Sequence, residues 1–247
     1  MLELKEICYD VYDEVIAGEK EILNNVNLKI EDNTFMVLTG PNGGGKSTIA
    51  KIIMGIIKPE SGQILWNGED ITSLSITERT KKGIGFAFQQ PVRFKGLYVF
   101  DLLKFAAGKE LTIKEACSYL SEVGLCAQDY VDREVNSSLS GGELKRIEIA
   151  MLIARKTKLS VFDEPEAGID LWSFRNLVEV FERLREETSG SILIISHQER
   201  LLEIADTIAI IAGGSVKETG KKEVMLPKLL AESECCGHMK KRSGRNE

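Results

Sequence analysis

Nine consecutive residues, Gly40-Pro41-Asn42-Gly43-Gly44-Gly45-Lys46-Ser47-Thr48, carry the most explicit chemistry in the chain. They satisfy the spacing G-x-x-x-x-G-K-[ST] in full, after an apolar run and before a helix-forming stretch. Glycines at these positions let the backbone curl so that successive N–H groups converge on phosphate oxygens without a Cβ in the way. A helix opening near Gly45 adds partial positive charge. Lys46 supplies a full charge for the outer phosphates, and the Ser47 hydroxyl is a hard oxygen ligand for Mg²⁺. A glycine-rich turn that merely precedes a helix has no need of the lysine and the hydroxyl.

A second strand-like run, Leu159-Ser160-Val161-Phe162, ends in two carboxylates, Asp163 and Glu164. Asp163 is placed to hold Mg²⁺, directly or through its water shell, and Glu164 to act as the general base that polarises an attacking water. In isolation an Asp-Glu pair after a strand is common, and the start of a capped helix is its default explanation. Beside a phosphate loop the catalytic explanation takes over.

A third element makes the pattern specific. Leu139-Ser140-Gly141-Gly142-Glu143 resembles the LSGGQ signature of the ATP-binding cassette family, with Glu in place of the final Gln, about twenty residues before the Asp163 strand. It precedes a helix, so the amides of Gly141 and Gly142 together with Ser140 can face a phosphate. Other elements follow in the family's order. Gln89 resembles the glutamine that contacts Mg²⁺ and water and couples to the partner. Ala167-Gly168-Ile169-Asp170 resembles the loop at the dimer seam, and His197 the switch histidine that contacts the γ-phosphate. The resemblance runs from about Leu2 to Thr219. It implies ATP and Mg²⁺ as cofactors, with Gly40 to Thr48 and Lys46 around the phosphates and Ser47, Gln89 and Asp163 around the metal. It also implies a head-to-tail dimer in which each ATP lies between Lys46 of one copy and Ser140–Gly142 of the other. The family stacks an aromatic side chain on adenine; Tyr9 and Tyr12 both fall near that point, and Tyr12 is preferred because Ile7-Cys8-Tyr9 has a strand-like pattern.

Three branches of the family compete: a Suf-type (SufC-like) iron–sulfur cluster assembly ATPase, a transporter's nucleotide-binding subunit, and a soluble cassette acting on DNA or ribosomes. The last generally carries two cassettes or a long coiled coil, and neither is visible. Phe88-Gln89-Gln90-Pro91-Val92 is similar to the SufC stretch FQ-x-P-V, Ser140 to Glu148 to its SGGE-x-KR-x-E, and Ser196 to Leu202 to its TH-x-QRLL. Asp163-Glu164-Pro165-Glu166 departs toward the transporter form. The first branch implies a SufB/SufD-like scaffold as partner, the second a transmembrane permease subunit.

Positioning these groups requires a mainly parallel sheet. Phe35-Met36-Val37-Leu38-Thr39 reads as a strand buried on both faces. Similar runs recur at Ile84–Phe88, Leu159–Phe162, Ile192–Ile195 and Ile208–Ile211, with helices between them, notably Leu171 to Glu187. Alternating apolar and polar residues at Leu2–Lys5 and Ile22–Ile30 predict half-buried antiparallel strands. Between Pro91 and Lys158 only helical periodicity is visible. The expected fold is therefore α/β: a P-loop NTPase cassette with a RecA-like parallel-sheet core (residues 1–90 and 159–225), an antiparallel β edge, and an inserted α-helical signature subdomain (91–158). A C-terminal extension with a frayed, basic tail occupies 226–247.

Composition agrees. The chain has 247 residues, 43% of them hydrophobic, enough for one large α/β domain with an embedded subdomain. A net charge of −6 without a basic stripe speaks against a nucleic-acid partner. No run approaches the ~18 apolar residues of a membrane span, and the N-terminus lacks a signal-peptide core, so a cytoplasmic location is expected. Cys8, Cys117 and Cys126 sit beside apolar neighbours and are expected in the core. Cys235, Cys236 and His238 are soft ligand types, but adjacent cysteines on a tail are poor chelators by themselves.

Overall fold

The computed structural model describes residues 1–13, 18–136, 138–187 and 190–231; Cys235, Cys236 and His238 lie outside them. Two sheets organise the chain. The first is antiparallel, with β1 (Leu2–Asp13), β2 (Gly18–Ile30), β4 (Ser61–Trp66) and the two-residue β5 (Glu69–Asp70) in the order β2-β1-β4-β5. The second has six strands: β3 (Phe35–Thr39), β6 (Ile84–Ala87), β7 (Leu159–Asp163), β8 (Ser191–Ile195), β9 (Thr207–Ala212) and β10 (Ser215–Lys221), in the order β10-β9-β3-β8-β7-β6. All its neighbours pair in parallel except β9 and β10. The antiparallel strands form a sheet of their own beside the parallel core.

The continuous apolar runs are explained by two cores, one on each face of the six-stranded sheet. Successive strand side chains point to opposite faces. Phe35 and Val37 of β3, Phe162 of β7 and Ile192 and Ile194 of β8 enter one core. Met36 and Leu38, Val161, and Leu193 and Ile195 enter the other. The first core is closed by α3 (Val99–Ala107), α4 (Ile113–Glu122), α5 (Ala127–Tyr130) and α6 (Gly141–Arg155), which lie between β6 and β7, and by α7 (Leu171–Glu187) and α8 (Glu199–Ile204). The second is closed by α1 (Lys46–Met54) and the antiparallel sheet. The only pairing among the described residues of the α3–α6 segment is an isolated bridge between Tyr98 and Glu134.

A helix over 222–231 crosses the boundary expected at residue 226; Met225 is fully buried and Leu226 and Leu229 pack on the core. The cysteine expectation is also corrected. Cys8 and Cys117 are half-buried and Cys126 is exposed, because Cys126 caps the short α5 at the surface. Among the described residues, no helix is long and apolar enough to cross a membrane.

Patterning left one structural device unseen. Arg79, in α2 (Ile76–Lys81), is completely buried. Its guanidinium donates to Ile52 O (2.6 Å), Ile53 O (2.8 Å), Thr72 O (2.8 Å) and Leu74 O (3.0 Å). The first two are carbonyls at the C-terminal end of α1, where a helix leaves acceptors open; Ile52 O also accepts the Gly55 amide at 3.0 Å. A cation there also complements the helix dipole. Gly55 ends α1 at φ 81°, and a Cβ there would lie 3.0 Å from Arg79 Nε. Arg79 thus anchors the far end of the helix whose first residue is Lys46. Replacing Arg79 by Met should take a donor from four backbone carbonyls, Ile52 O alone keeping the Gly55 amide, and cost about 3 kcal/mol or more, read as a lower urea midpoint; an unchanged midpoint would refute the anchoring role.

Candidate active site

The carboxyl ends of β3, β7 and β8, and the loop after β6, bring the sequence candidates together. β3 leads into the glycine loop, which is wedged against β9. Gly40 adopts φ 125°, and a Cβ there would stand 2.1 Å from Ile211 O. Gly45, with φ 101°, is the residue before α1, and a Cβ there would meet Leu23 Cδ2 at 2.5 Å. Gly214 N donates to Gly44 O at 3.3 Å, tying the loop to the β9–β10 turn. Pro41, Asn42 and Gly43 form its exposed crest, and Thr48 is half-buried in α1.

Lys46 is only 5% exposed. Its Nζ donates to the loop's own carbonyls, Gly40 O (2.7 Å) and Pro41 O (2.9 Å), which straddles the ammonium across the loop. Burial holds it below its ordinary pKa, against the opposing pull of Glu164 and Asp163. Ser47 Oγ donates to Asp163 Oδ1 at 2.8 Å. Asp163 is buried, and its carboxyl is pushed up first by desolvation and further by Glu164, while Ser47 pulls it down. Glu164 sits just past β7 with φ 46°, a conformation unfavourable for a side-chain-bearing residue, and its amide donates to Ile195 O of β8. Gln89 Nε2 donates to Glu164 Oε2. His197, exposed just beyond β8, is held below its ordinary pKa by partial desolvation, then by Lys46, with Glu164 opposing.

Lys46, Ser47, Gln89, Asp163, Glu164 and His197 therefore share one locality. The residues fit the expected cofactors. Atoms added at Gly40, Gly44 or Gly45 would strike backbone or core, so the cradle requires glycine. A hydroxyl, a carboxylate and a side-chain amide form a hard oxygen set suited to Mg²⁺, which rests on few carboxylates plus phosphate oxygens. No group of three or more His, Cys, Asp or Glu able to hold a metal occurs among the described residues.

The other candidates make different contacts. Among the described residues, no hydrogen bond links Tyr12, Ser140, Gly141, Gly142 or Asp170 to Lys46, Ser47 or Asp163. Ser140 caps α6 in a reciprocal box: Glu143 Oε2 accepts its amide at 2.6 Å and its Oγ accepts the Glu143 amide at 3.3 Å. The Glu that replaces Gln in the signature thus serves the helix start, and it also accepts from Tyr130. Gly142 packs beside Ile169 and Ser173, setting the signature turn against the Asp170 segment. Asp170 Oδ1 accepts the amides of Trp172 and Ser173, both at 3.0 Å, at the start of α7. β1 includes Ile7-Cys8-Tyr9, as expected, and runs on to Asp13, so Tyr12 lies in the strand as well. Tyr9 packs on the core and Tyr12 stands 68% exposed within the strand.

Sequence reasoning missed a third carboxylate. Glu166 Oε1 accepts from the Ser196 hydroxyl, which in turn accepts the Gln198 amide at 3.0 Å, on either side of His197. Desolvation raises the Glu166 pKa, and Glu164 raises it further. Its place in the Asp163–Asp170 run was the available signal.

The chain belongs to the ABC transporter family, whose model matches residues 23–167. It has the ATP-binding cassette fold and is an ATPase that uses ATP with Mg²⁺. An uncharacterized ABC transporter ATP-binding protein of Methanocaldococcus jannaschii is 42% identical over 219 residues, which cover 85% of this chain and 87% of that protein. A probable ATP-dependent transporter, ycf16, of Cyanidium caldarium is 34% identical, covering 83% and 86% respectively. A dimeric ATP-binding cassette in a post-hydrolysis state, bound to ADP and Pi, superposes with a TM-score of 0.79 at 24% identity over 90% of this chain and 99% of that one; this likeness concerns the fold.

The loop geometry ranks its glycines. Gly40→Ala drives a methyl into Ile211 O and should displace the loop, with ATP affinity falling at least about tenfold, or 1.4 kcal/mol. Gly43→Ala, at φ 76° with nothing within 4 Å, should cost only the strain of roughly 1–2 kcal/mol. Titration with a fluorescent nucleotide, alongside thermal melts, compares them; equal effects would contradict this ranking.

Proposed function

We propose that the chain hydrolyses ATP as a head-to-tail dimer and uses the cycle to drive a conformational change in a partner, a SufB/SufD-like scaffold of iron–sulfur cluster assembly. The observation that carries the catalytic part is the meeting of two pairs at one sheet edge: Ser47 with Asp163 at 2.8 Å, and Gln89 with Glu164. In this reading Lys46 and the backbone N–H groups of the Gly40–Thr48 loop, of which Pro41 has none, hold the phosphates, and Ser47, Asp163 and Gln89 hold Mg²⁺. When bound, the metal neutralises charge on the phosphate oxygens. Glu164 takes the proton of the attacking water, Gln89 keeps that carboxylate in place, and His197 donates to the γ-phosphate. The exposed Tyr12 stacks on adenine. Ser140, Gly141, Gly142 and Asp170, which share no hydrogen bond with Lys46 among the described residues, serve the site of the second copy. A monomer then lacks half of each site.

Residues 1–90 and 159–225 act as the nucleotide-binding core, and 91–158 as the arm that moves with the partner. The chain works in the cytoplasm. Apolar side chains exposed beside Gln89, namely Phe88, Val92, Phe94 and Phe105, border a groove of about 300 Å³, a surface suited to a protein partner. Two of the Suf-like stretches meet in space, since Lys145 of the signature helix donates to Phe88 O. This supports treating them as one feature. A second reading, the nucleotide-binding subunit of a transporter with a transmembrane permease partner, is favoured by the names of both relatives.

Glu164→Gln should keep ATP binding, accumulate a dimer in gel filtration, and lower turnover by about 100- to 10,000-fold; ordinary turnover would remove Glu164 as the base. Anaerobic purification with native partners, followed by mass spectrometry, should return a soluble scaffold. A polytopic membrane protein there would replace cluster assembly with transport.

A further inference from the structure

The segment carrying Gln89 has little secondary structure to hold it. β6 ends at Ala87, and Phe88 and Val92 are 41% and 47% exposed. Two side chains of α6, one turn apart, reach this segment from below. Lys145, 2% exposed, donates from Nζ to Phe88 O at 2.5 Å. Glu148, half-buried on the same face, lies against the backbone amides of Phe88 and Val92, and its Oε2 has no hydrogen-bond partner among the described residues. The backbone on both sides of Gln89 is therefore tied to two neighbouring side chains of α6, an ammonium and a carboxyl that burial pushes up to about 7. Gln89 itself donates to Glu164.

We propose that Lys145 and Glu148 are positioning residues for hydrolysis: a clamp from the signature helix that fixes the Phe88–Val92 segment so that Gln89 stays on Glu164. The proposal rests on the roles given to Gln89 and Glu164 above. It adds that the hold on Gln89 comes from α6. A buried ammonium is costly to desolvate and needs a compensating partner. Burial holds Lys145 below its ordinary pKa, while Glu148, first, and then Asp163, Glu166 and Glu164 favour its charge. A purely packing role would be met by the aliphatic stem. The ammonium at Phe88 O fixes that carbonyl, one residue before Gln89, and any shift of α6 relative to the sheet is passed directly to Gln89.

The test is a double-mutant cycle on the full chain, read in steady-state ATP turnover with Mg²⁺. Lys145→Met keeps the stem and removes the ammonium. It should lower kcat about tenfold or more, with KM for ATP changing less than about twofold, the pattern of a lost interaction that matters after binding. Lys145→Arg, which restores a donor and a charge, should recover part of the loss. In a Gln89→Ala background, Lys145→Met should cause no further loss, because residues acting through one another are not additive. Should Lys145→Met fail to fold by circular dichroism, Glu148→Gln carries the same cycle with the shape preserved and should show the same non-additivity. Losses that multiply in the double variant, with Gln89→Ala slow, would overturn the clamp and leave the role of Gln89 standing. Wild-type turnover in Gln89→Ala alone would overturn both. An effect on KM alone would also overturn the clamp.

Discussion

Ionisable groups of both signs are gathered, largely out of water, where β3, β7 and β8 end, and most of the structure answers to that constraint. Lys46 is held by two carbonyls of its own loop, Asp163 by the Ser47 hydroxyl, and Glu166 by Ser196. Burial pushes each of them toward its neutral form, the lysine down and the two carboxyls up. Desolvated charges are tolerated only when paired and fixed in geometry. Positive charge from Lys46 faces negative charge from Asp163 and Glu164, so an anionic ligand with its own cation can enter such a site without leaving either sign unanswered.

Fixed geometry there requires rigid surroundings, which the two cores supply. β3, β7 and β8 are buried on both faces, so the ends that present Thr39, Asp163 and Ile195 cannot drift independently. The glycine loop is held from outside the motif: Ile211 O closes the space at Gly40, and Leu23 the space at Gly45. At its far end, α1 is tied down by Arg79. At the near end, Lys46 and Ser47 occupy the first turn. The left-handed conformation of Glu164 is held by the hydrogen bond from its amide to β8.

Much of this was legible beforehand. The helix expected to open near Gly45 begins at Lys46, where it follows a glycine turn, and the one expected over Leu171–Glu187 has those bounds. The buried runs became strands within a residue or so of their expected ends. β4, β5, α2, α8 and β10 were not anticipated, since short or mixed-polarity segments take their form from what they pack against. The exposure of Cys126 was hidden for the same reason: a local apolar neighbourhood does not say which side meets the core. Arg79, Lys145 and Glu166 look in sequence like ordinary surface charges, and only burial reveals them.

By itself, the sequence determined what local spacing can determine. Glycines followed by Lys46 and Ser47 specify a phosphate cradle because the backbone geometry depends on neighbouring residues alone. Five apolar residues in a row at Phe35–Thr39 specify a strand buried on both faces. Tertiary structure decided which of these pieces meet. Ser47 and Asp163 are 116 positions apart, and Gln89 and Glu164 are 75 apart. They touch because β3, β8, β7 and β6 lie side by side and in parallel, so their carboxyl ends share one edge. That order follows from how two apolar faces are covered at once, a property of the whole chain that no short window contains.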